Sequence, residues 1–191
     1  MPVLADPQRV ATLIQTLADR LAGQMRRHPG EPWALVGLRS RGDVLAHRLA
    51  DQLDAGALNG RVGSLDITLY RDDLAGMGPQ PVVRTTDIPF PIDDTHVVLV
   101  DDVLMTGRSI RAAMQSLIDL GRPRRVWLAV LVDRGGRELP IAADFVALDL
   151  TAEADASLAP GKRVQVLLHP TDDRDAVIVD DGDAPTGSDR D

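Results

Sequence analysis

Sorted into apolar and polar positions, the chain alternates between two periods. Val10, Leu13, Ile14, Leu17 and Leu21 recur at the i, i+3, i+4 spacing of a helix's buried stripe. Asp6-Pro7 supplies a cap and a proline at the first helical position, and Pro29-Gly30 stops this helix near Arg27. Trp33–Leu38 is a short, almost wholly apolar run, the type buried in a parallel sheet. Arg39–Gly42 reads as a turn, and Asp43 is placed to cap a second helix carrying Val44, Leu45, Leu49 and Leu53 on one face. Val62–Tyr70 reads as a strand with partial alternation, and His96–Val100 and Val126–Val132 as central strands. Between the last two, Ile110, Met114, Leu117 and Ile118 mark a helix closed by Gly121 and Pro123. Phe145–Leu148, Val164–Leu168 and Ala176–Val179 predict shorter strands.

Strand and helix in this alternation predict an α/β fold, a parallel sheet with helices on both faces. Arg71–Thr95 breaks the rhythm: it has no period and contains Pro79, Pro81, Pro89 and Pro91. A loop of that length inside a compact domain is more often functional than idle. Asp180–Asp191 is acidic and nearly free of apolar residues, the composition of a disordered tail.

Composition narrows the functional classes. The 191 residues suit one domain, and 44% apolar content is ordinary for a globular one. Aromatic residues make up only 3%, so no platform for stacking single-stranded bases is available. A formal charge of −8 disfavours general nucleic-acid affinity, which needs a basic face. No apolar run approaches the ~18 residues that span a bilayer, and Met1–Arg9 lacks a signal-peptide core. The absence of cysteine excludes disulfides and thiolate metal sites and fits a cytoplasmic protein.

The chemistry concentrates in Val97-Val-Leu-Val-Asp-Asp-Val-Leu-Met-Thr-Gly-Arg-Ser-Ile110. A buried strand delivers Asp101 and Asp102 to its carboxyl end, and a helix opens after Met105-Thr106-Gly107-Arg108-Ser109. Unpaired N–H groups at a helix start hold a phosphate, and Gly107 lets the backbone approach it closely. The Thr106 and Ser109 hydroxyls add donors, while the two carboxylates accept from vicinal sugar hydroxyls. Acidic pairs at strand ends also serve as metal ligands or helix caps, and Thr-Gly-x-Ser alone is a weak signal. No GxxxxGK[ST] and no GxGxxG after a strand competes for the phosphate role. The four histidines (His28, His47, His96, His169) are scattered in sequence and read as surface or capping residues.

The uninterrupted string resembles the motif by which type I phosphoribosyltransferases bind 5-phosphoribosyl-1-pyrophosphate (PRPP). Three further segments, Val36-Gly-Leu-Arg-Ser-Arg-Gly42, Asp66-Ile-Thr-Leu-Tyr-Arg-Asp-Asp-Leu74 and Leu131-Val-Asp-Arg-Gly-Gly-Arg-Glu-Leu-Pro-Ile141, narrow the resemblance to the PyrR family. Its members are bifunctional pyrimidine-operon attenuation regulators and uracil phosphoribosyltransferases. The resemblance implies a type I phosphoribosyltransferase fold over residues 1–179, with a flexible loop at about 71–95 and a small hood subdomain at about 133–170. It gives Asp101 and Asp102 to the ribose and Met105–Ser109 to the 5-phosphate. Arg39, Ser40, Arg41 and Gly42 become the pyrophosphate loop. Tyr70, Arg71, Asp72 and Arg84 fall in the loop that closes over PRPP, and Arg134 and Arg137 in the base-binding hood. The implied reaction is uracil plus PRPP giving UMP and diphosphate. Mg²⁺ would be held mainly by the substrate, with Asp101 and Asp102 nearest. Implied partners also include a leader-mRNA stem-loop and further copies of the chain, as a homodimer or larger assembly. A purine phosphoribosyltransferase and an RNA-binding regulator with vestigial catalysis are the alternatives.

The sequence departs from the family's pattern in places. Met105 stands where tyrosine is common and Gly136 where histidine is common. Leu17-Ala-Asp-Arg-Leu21, Ala142-Ala143 and the acidic Leu148–Asp155 lack basic residues that an RNA face needs. Arg26, Arg27, Arg122, Arg124 and Arg125 remain as a candidate basic cluster.

Overall fold

The computed structural model describes residues 1–68, 86–151 and 162–180. A short strand β1 (Val3–Ala5) precedes α1 (Pro7–Met25), whose cap Asp6 accepts the Arg9 N–H at 2.8 Å. Then come β2 (Trp33–Leu38), α2 (Gly42–Gln52), the single turn α3 (Ala55–Leu58) and β3 (Val62–Leu65). β4 (His96–Leu104), α4 (Arg108–Leu120), β5 (Arg125–Asp133) and β6 (Phe145–Asp149) follow, and β7 (Arg163–Leu167) and β8 (Ala176–Asp180) end the described chain.

Five strands form one parallel sheet in the order β3-β2-β4-β5-β6. Successive residues of each strand face opposite sides, and both sides are covered. Leu35, Val98, Val100, Ala129 and Leu131 pack with α1 and α2. Val36, Leu38, Val97, Leu99, Leu128 and Val130 pack with α4 and with Ile88, Phe90 and Ile92. Two apolar cores on one sheet explain why its strands read as unbroken apolar runs. The order also locates a crevice. β2 leads on to β3 on one side, whereas β4 leads through α4 to β5 on the other. Ligands of open α/β sheets bind at such a reversal, outside the carboxyl ends of the strands.

Several sequence expectations change. The strand from Val62 stops at Leu65, because the Asp66 carboxylate accepts the Thr68 N–H at 2.9 Å and turns the chain. β4 runs on through both aspartates to Leu104, since β5 pairs with it along that length. Arg41, not Asp43, occupies the cap position of α2. Asp43 lies in the first turn, where its carboxylate faces the positive end of the helix and accepts the Val44 N–H at 2.8 Å. On α4 the buried face is Ile110, Ala113 and Leu117, while Met114 and Ile118 point outward. Small alanines let the helix lie close to the sheet.

The second sheet, β1-β8-β7, is antiparallel and draws on both ends of the chain. β6, within the stretch 133–170 read as a hood, belongs to the main sheet. Asp180, read as the first tail residue, closes β8.

The histidines are also not uniformly peripheral. His96 is 3% exposed and stacks on Trp33 at 4.4 Å between ring centroids, with Trp127 and His28 beside it. The Trp127 indole N–H donates to its Nδ1 at 3.2 Å, so its Nε2–H is left to donate to Glu31. That bond, more than the Arg124 guanidinium at 3.5 Å, holds the Glu31 carboxyl below its usual range. His28, Glu31 and His96 bring ligand atoms within 4.8 Å of one another. With both His96 nitrogens engaged and Arg124 adjacent, the trio is a self-satisfied network, not a cation site.

Candidate active site

The turn after β2 and the end of β4 meet at the crevice. Gly42 makes this approach possible: a Cβ there would stand 2.4 Å from the Val100 carbonyl oxygen. Arg39, Ser40 and Arg41 from the turn, Asp101, Asp102 and Val103 from β4, and Ser109 from α4 line one cavity of about 230 Å³. Asp101, Val103 and Ser109 also border a second, of about 60 Å³, with Met105, Thr106 and Gly107. The two cavities thus share walls and run from the turn to the start of α4.

The smaller one is a cradle of backbone. Gly107, the cap of α4, has φ +89°, a left-handed conformation that only glycine adopts without strain, and no side chain caps the helix. The first N–H groups of a helix longer than three turns therefore face the cradle without an internal acceptor. The Arg108 N–H has a local partner, the Thr106 hydroxyl at 3.3 Å. Met105, half exposed, packs its side chain beside Gly136. Methionine thus occupies room that a larger residue in place of glycine would fill.

The larger cavity is electrostatically divided. Asp101 accepts the Asp102 N–H and Asp102 the Val103 N–H, each at 3.0 Å, which fixes both carboxylates at the strand end. Burial pushes the Asp102 carboxyl above its usual range, opposed by the hydrogen bond with Asp101 and by the charge of Arg41. Opposite, Arg39 lies 3.5 Å from Asp43, and its Nε is buried with no acceptor among the described residues. The Arg39–Ser40 peptide is cis. Donors stand on one wall and acceptors on the other, as a ligand with a diol and a polyanionic end requires.

Arg41 carries a feature not anticipated from the sequence. Its Nε and one Nη each donate at 2.8 Å to the Asp172 carboxylate, in the turn between β7 and β8. Asp172 also accepts the Leu168 N–H at 2.8 Å, and the Arg41 bond holds its carboxyl below the ordinary range. Next to it, Arg48 of α2 grips Asp175 and the His169 carbonyl. The acidic run Asp172-Asp173-Arg174-Asp175 was the only sequence signal for this docking.

The hood arginines line neither cavity, but Arg137 bonds to the wall of the smaller one. Arg137 pairs with Asp133 at 2.5 Å and donates to the carbonyls of Met105 and Ile141. Glu138 pairs with Arg108 at 2.7 Å. Arg134 donates to the Lys162 carbonyl at 2.5 Å. Tyr70, Arg71, Asp72 and Arg84 lie outside the described residues.

Comparison with known proteins decides the family. The phosphoribosyl transferase domain matches residues 10–160. A protein of Desulfosudis oleivorans named bifunctional protein PyrR is 49% identical over 183 residues, covering 93% of this chain and 94% of its own. Proteins of the same name from Akkermansia muciniphila and Bacillus cereus are 46% and 42% identical, covering 87% and 94% of this chain and 90% and 97% of their own. The chain belongs to the PyrR family. Among solved structures, hypoxanthine phosphoribosyltransferase of Trypanosoma cruzi aligns over 94% of this chain and 95% of its own, with a TM-score of 0.68 and 19% identity. That likeness establishes the fold alone.

Proposed function

We propose that this PyrR-family protein transfers the 5-phosphoribosyl group of PRPP to uracil, giving UMP and diphosphate, in the crevice between β2 and β4. The observation that carries the reading is one polar cavity walled by Arg39, Ser40, Arg41, Asp101, Asp102 and Ser109 and continuing to the open start of α4. In this reading the α4 cradle grips the 5-phosphate, Asp101 and Asp102 accept from the ribose hydroxyls, and Arg39–Gly42 faces the diphosphate.

The bond at the anomeric carbon breaks ahead of the bond to uracil, so the sugar carries oxocarbenium character. The chain contributes orientation, exclusion of water and charge stabilisation. Asp101 and Asp102 place carboxylates near the sugar, and Arg41 offers a cation to the departing diphosphate. Paired oxygen donors, one a carboxylate whose ionised form burial disfavours, fit Mg²⁺, which would neutralise diphosphate charge while bound mainly through substrate oxygens. Incubation with PRPP, Mg²⁺ and single nucleobases tests the proposal. UMP forms from uracil, and hypoxanthine and guanine give no nucleotide. Turnover of a purine with none of uracil would favour the purine-type alternative.

A second role in binding a leader-RNA stem-loop would draw on the candidate basic residues, which lie toward the amino side of the sheet. Arg26 and Arg27 follow α1, Arg124 reaches Glu31, and Arg125 lies 3.7 Å over the Trp127 ring. A salt titration of stem-loop binding with and without UMP tests it. Each phosphate contact steepens the slope of log affinity against log salt by about one. A slope and affinity equal to those for unrelated RNA would remove this role.

A further inference from the structure

We propose that Asp172 is a positioning residue for the transfer reaction: it holds Arg41 in the orientation that receives the diphosphate end of PRPP. The proposal rests on the reading of Arg39–Gly42 as the pyrophosphate loop. Three observations on the geometry support it.

First, the pairing is bidentate and braced from behind. Nε and one Nη of Arg41 meet the two Asp172 oxygens at 2.8 Å each, and the Leu168 N–H fixes the same carboxylate. A planar guanidinium gripped along one edge has its plane and direction set, and its other Nη stays available. Among the described residues that second Nη has no hydrogen bond, and Arg41 lines the cavity with Asp102 and Ser109. Second, Arg41 and Asp102 both wall that cavity, and the grip of Asp172 keeps the Arg41 guanidinium on its own side of it while leaving the cation partly exposed. Third, Asp172 comes from the small sheet, whereas Arg41 precedes α2 on the large one. The clamp therefore lets the turn of the small sheet position a residue on the diphosphate side of the crevice. The neighbouring Arg48–Asp175 clamp borders neither cavity and serves as the internal control.

The test compares Asp172→Asn, Asp172→Glu, Arg41→Gln, the double variant Arg41→Gln with Asp172→Asn, and Asp175→Asn, all in the full chain. In Asp172→Asn the KM for PRPP and the inhibition constant of diphosphate each rise about tenfold, as loss of an ordered charge-assisted pair implies. The KM for uracil stays unchanged. Asp172→Glu recovers part of the loss, and the double variant is no worse than Arg41→Gln alone, because Asp172 acts only through Arg41. Asp175→Asn lowers Tm without changing either KM. Tighter PRPP or diphosphate binding in Asp172→Asn would overturn the proposal by showing that the clamp restrains Arg41 from its ligand. Additive losses in the double variant, or equal changes in both KM values, would also overturn it in favour of a general structural role. If Arg41→Gln itself binds diphosphate normally, the pyrophosphate-loop reading fails together with the proposal. If Arg41→Gln is impaired and Asp172→Asn is normal, only the proposal fails.

Discussion

The two ends of the parallel sheet are both rich in polar side chains, and they treat them in opposite ways. At the amino ends of β2, β4 and β5, His96, Glu31, Trp127 and Arg124 satisfy one another and aromatic rings fill the space between, although the neutral Trp33 indole N–H finds no partner among the described residues. At the carboxyl ends, Asp101 is buried and Asp102 half-buried, the Arg39 Nε is unpaired among the described residues, and α4 starts without a side-chain cap. Unpaired buried groups are costly, charged ones most of all, and it is the charged ones that lie at the carboxyl ends. Size misleads here. A larger cavity, about 740 Å³, opens at the amino side between α1, α3 and the start of β2, with mixed walls such as Met25, Leu53, Arg26 and Arg61. The proposed site is the cavity about a third that volume, whose walls are divided by charge.

Exchanging residues at the two ends should separate activity from stability. Asp101→Asn with Asp102→Asn removes both carboxylates and lowers PRPP turnover by roughly a thousandfold or more in steady-state assays. Its far-UV circular dichroism stays that of the parent, since strand-end carboxylates contribute little to the cores. His96→Ala does the reverse. It deletes a buried ring and strands the Trp127 indole N–H, costing about 3 kcal/mol in denaturant unfolding. PRPP and uracil KM values hold. Gly107→Ala touches both properties, because a left-handed residue with a Cβ 3.4 Å from Ile141 and Leu139 costs about 1–2 kcal/mol and distorts the cradle. Weaker UMP binding with a lower Tm is the expected result.

The smallest effect concerns the pH dependence of Asp102→Asn. The folded pKa of Asp102 is raised by burial, so the unfolded carboxyl ionises first as pH rises. Folding stability from this group is present in acid, below the ordinary aspartate range, and is lost as pH climbs through the folded pKa. Asp102→Asn should therefore be more stable than the parent at neutral pH, and the gap should close on acidification. Thermal melts across that range measure it. Asp172, with its folded pKa lowered, has the opposite sign: its contribution is present above the ordinary aspartate range and fades as pH falls.

Much of this contrast was legible beforehand at one end only. The string from Val97 to Ile110 carried the strand, the carboxylates and the glycine-led helix start in one local segment. Local patterns are what a sequence displays best, and the cap at Asp6-Pro7 was equally plain. What escaped was assembled over distance. Asp172 meets Arg41 across 131 positions, and His96 meets Glu31 across 65, with no periodicity to announce either. The face of α4 was misread toward Met114 and Ile118 because alanines form its buried side, where closeness to the sheet matters more than side-chain size. β1 joined β8 for the same reason: pairing between chain ends leaves no mark on either segment.

The most direct measurement is a crystal structure of the protein with UMP bound. The account predicts phosphate oxygens on the backbone N–H groups at the start of α4 and both ribose hydroxyls within hydrogen-bond reach of Asp101 and Asp102. Nucleotide lodged instead in the wide cavity beside Arg26 and Arg61, with the β2–β4 crevice vacant, would contradict it.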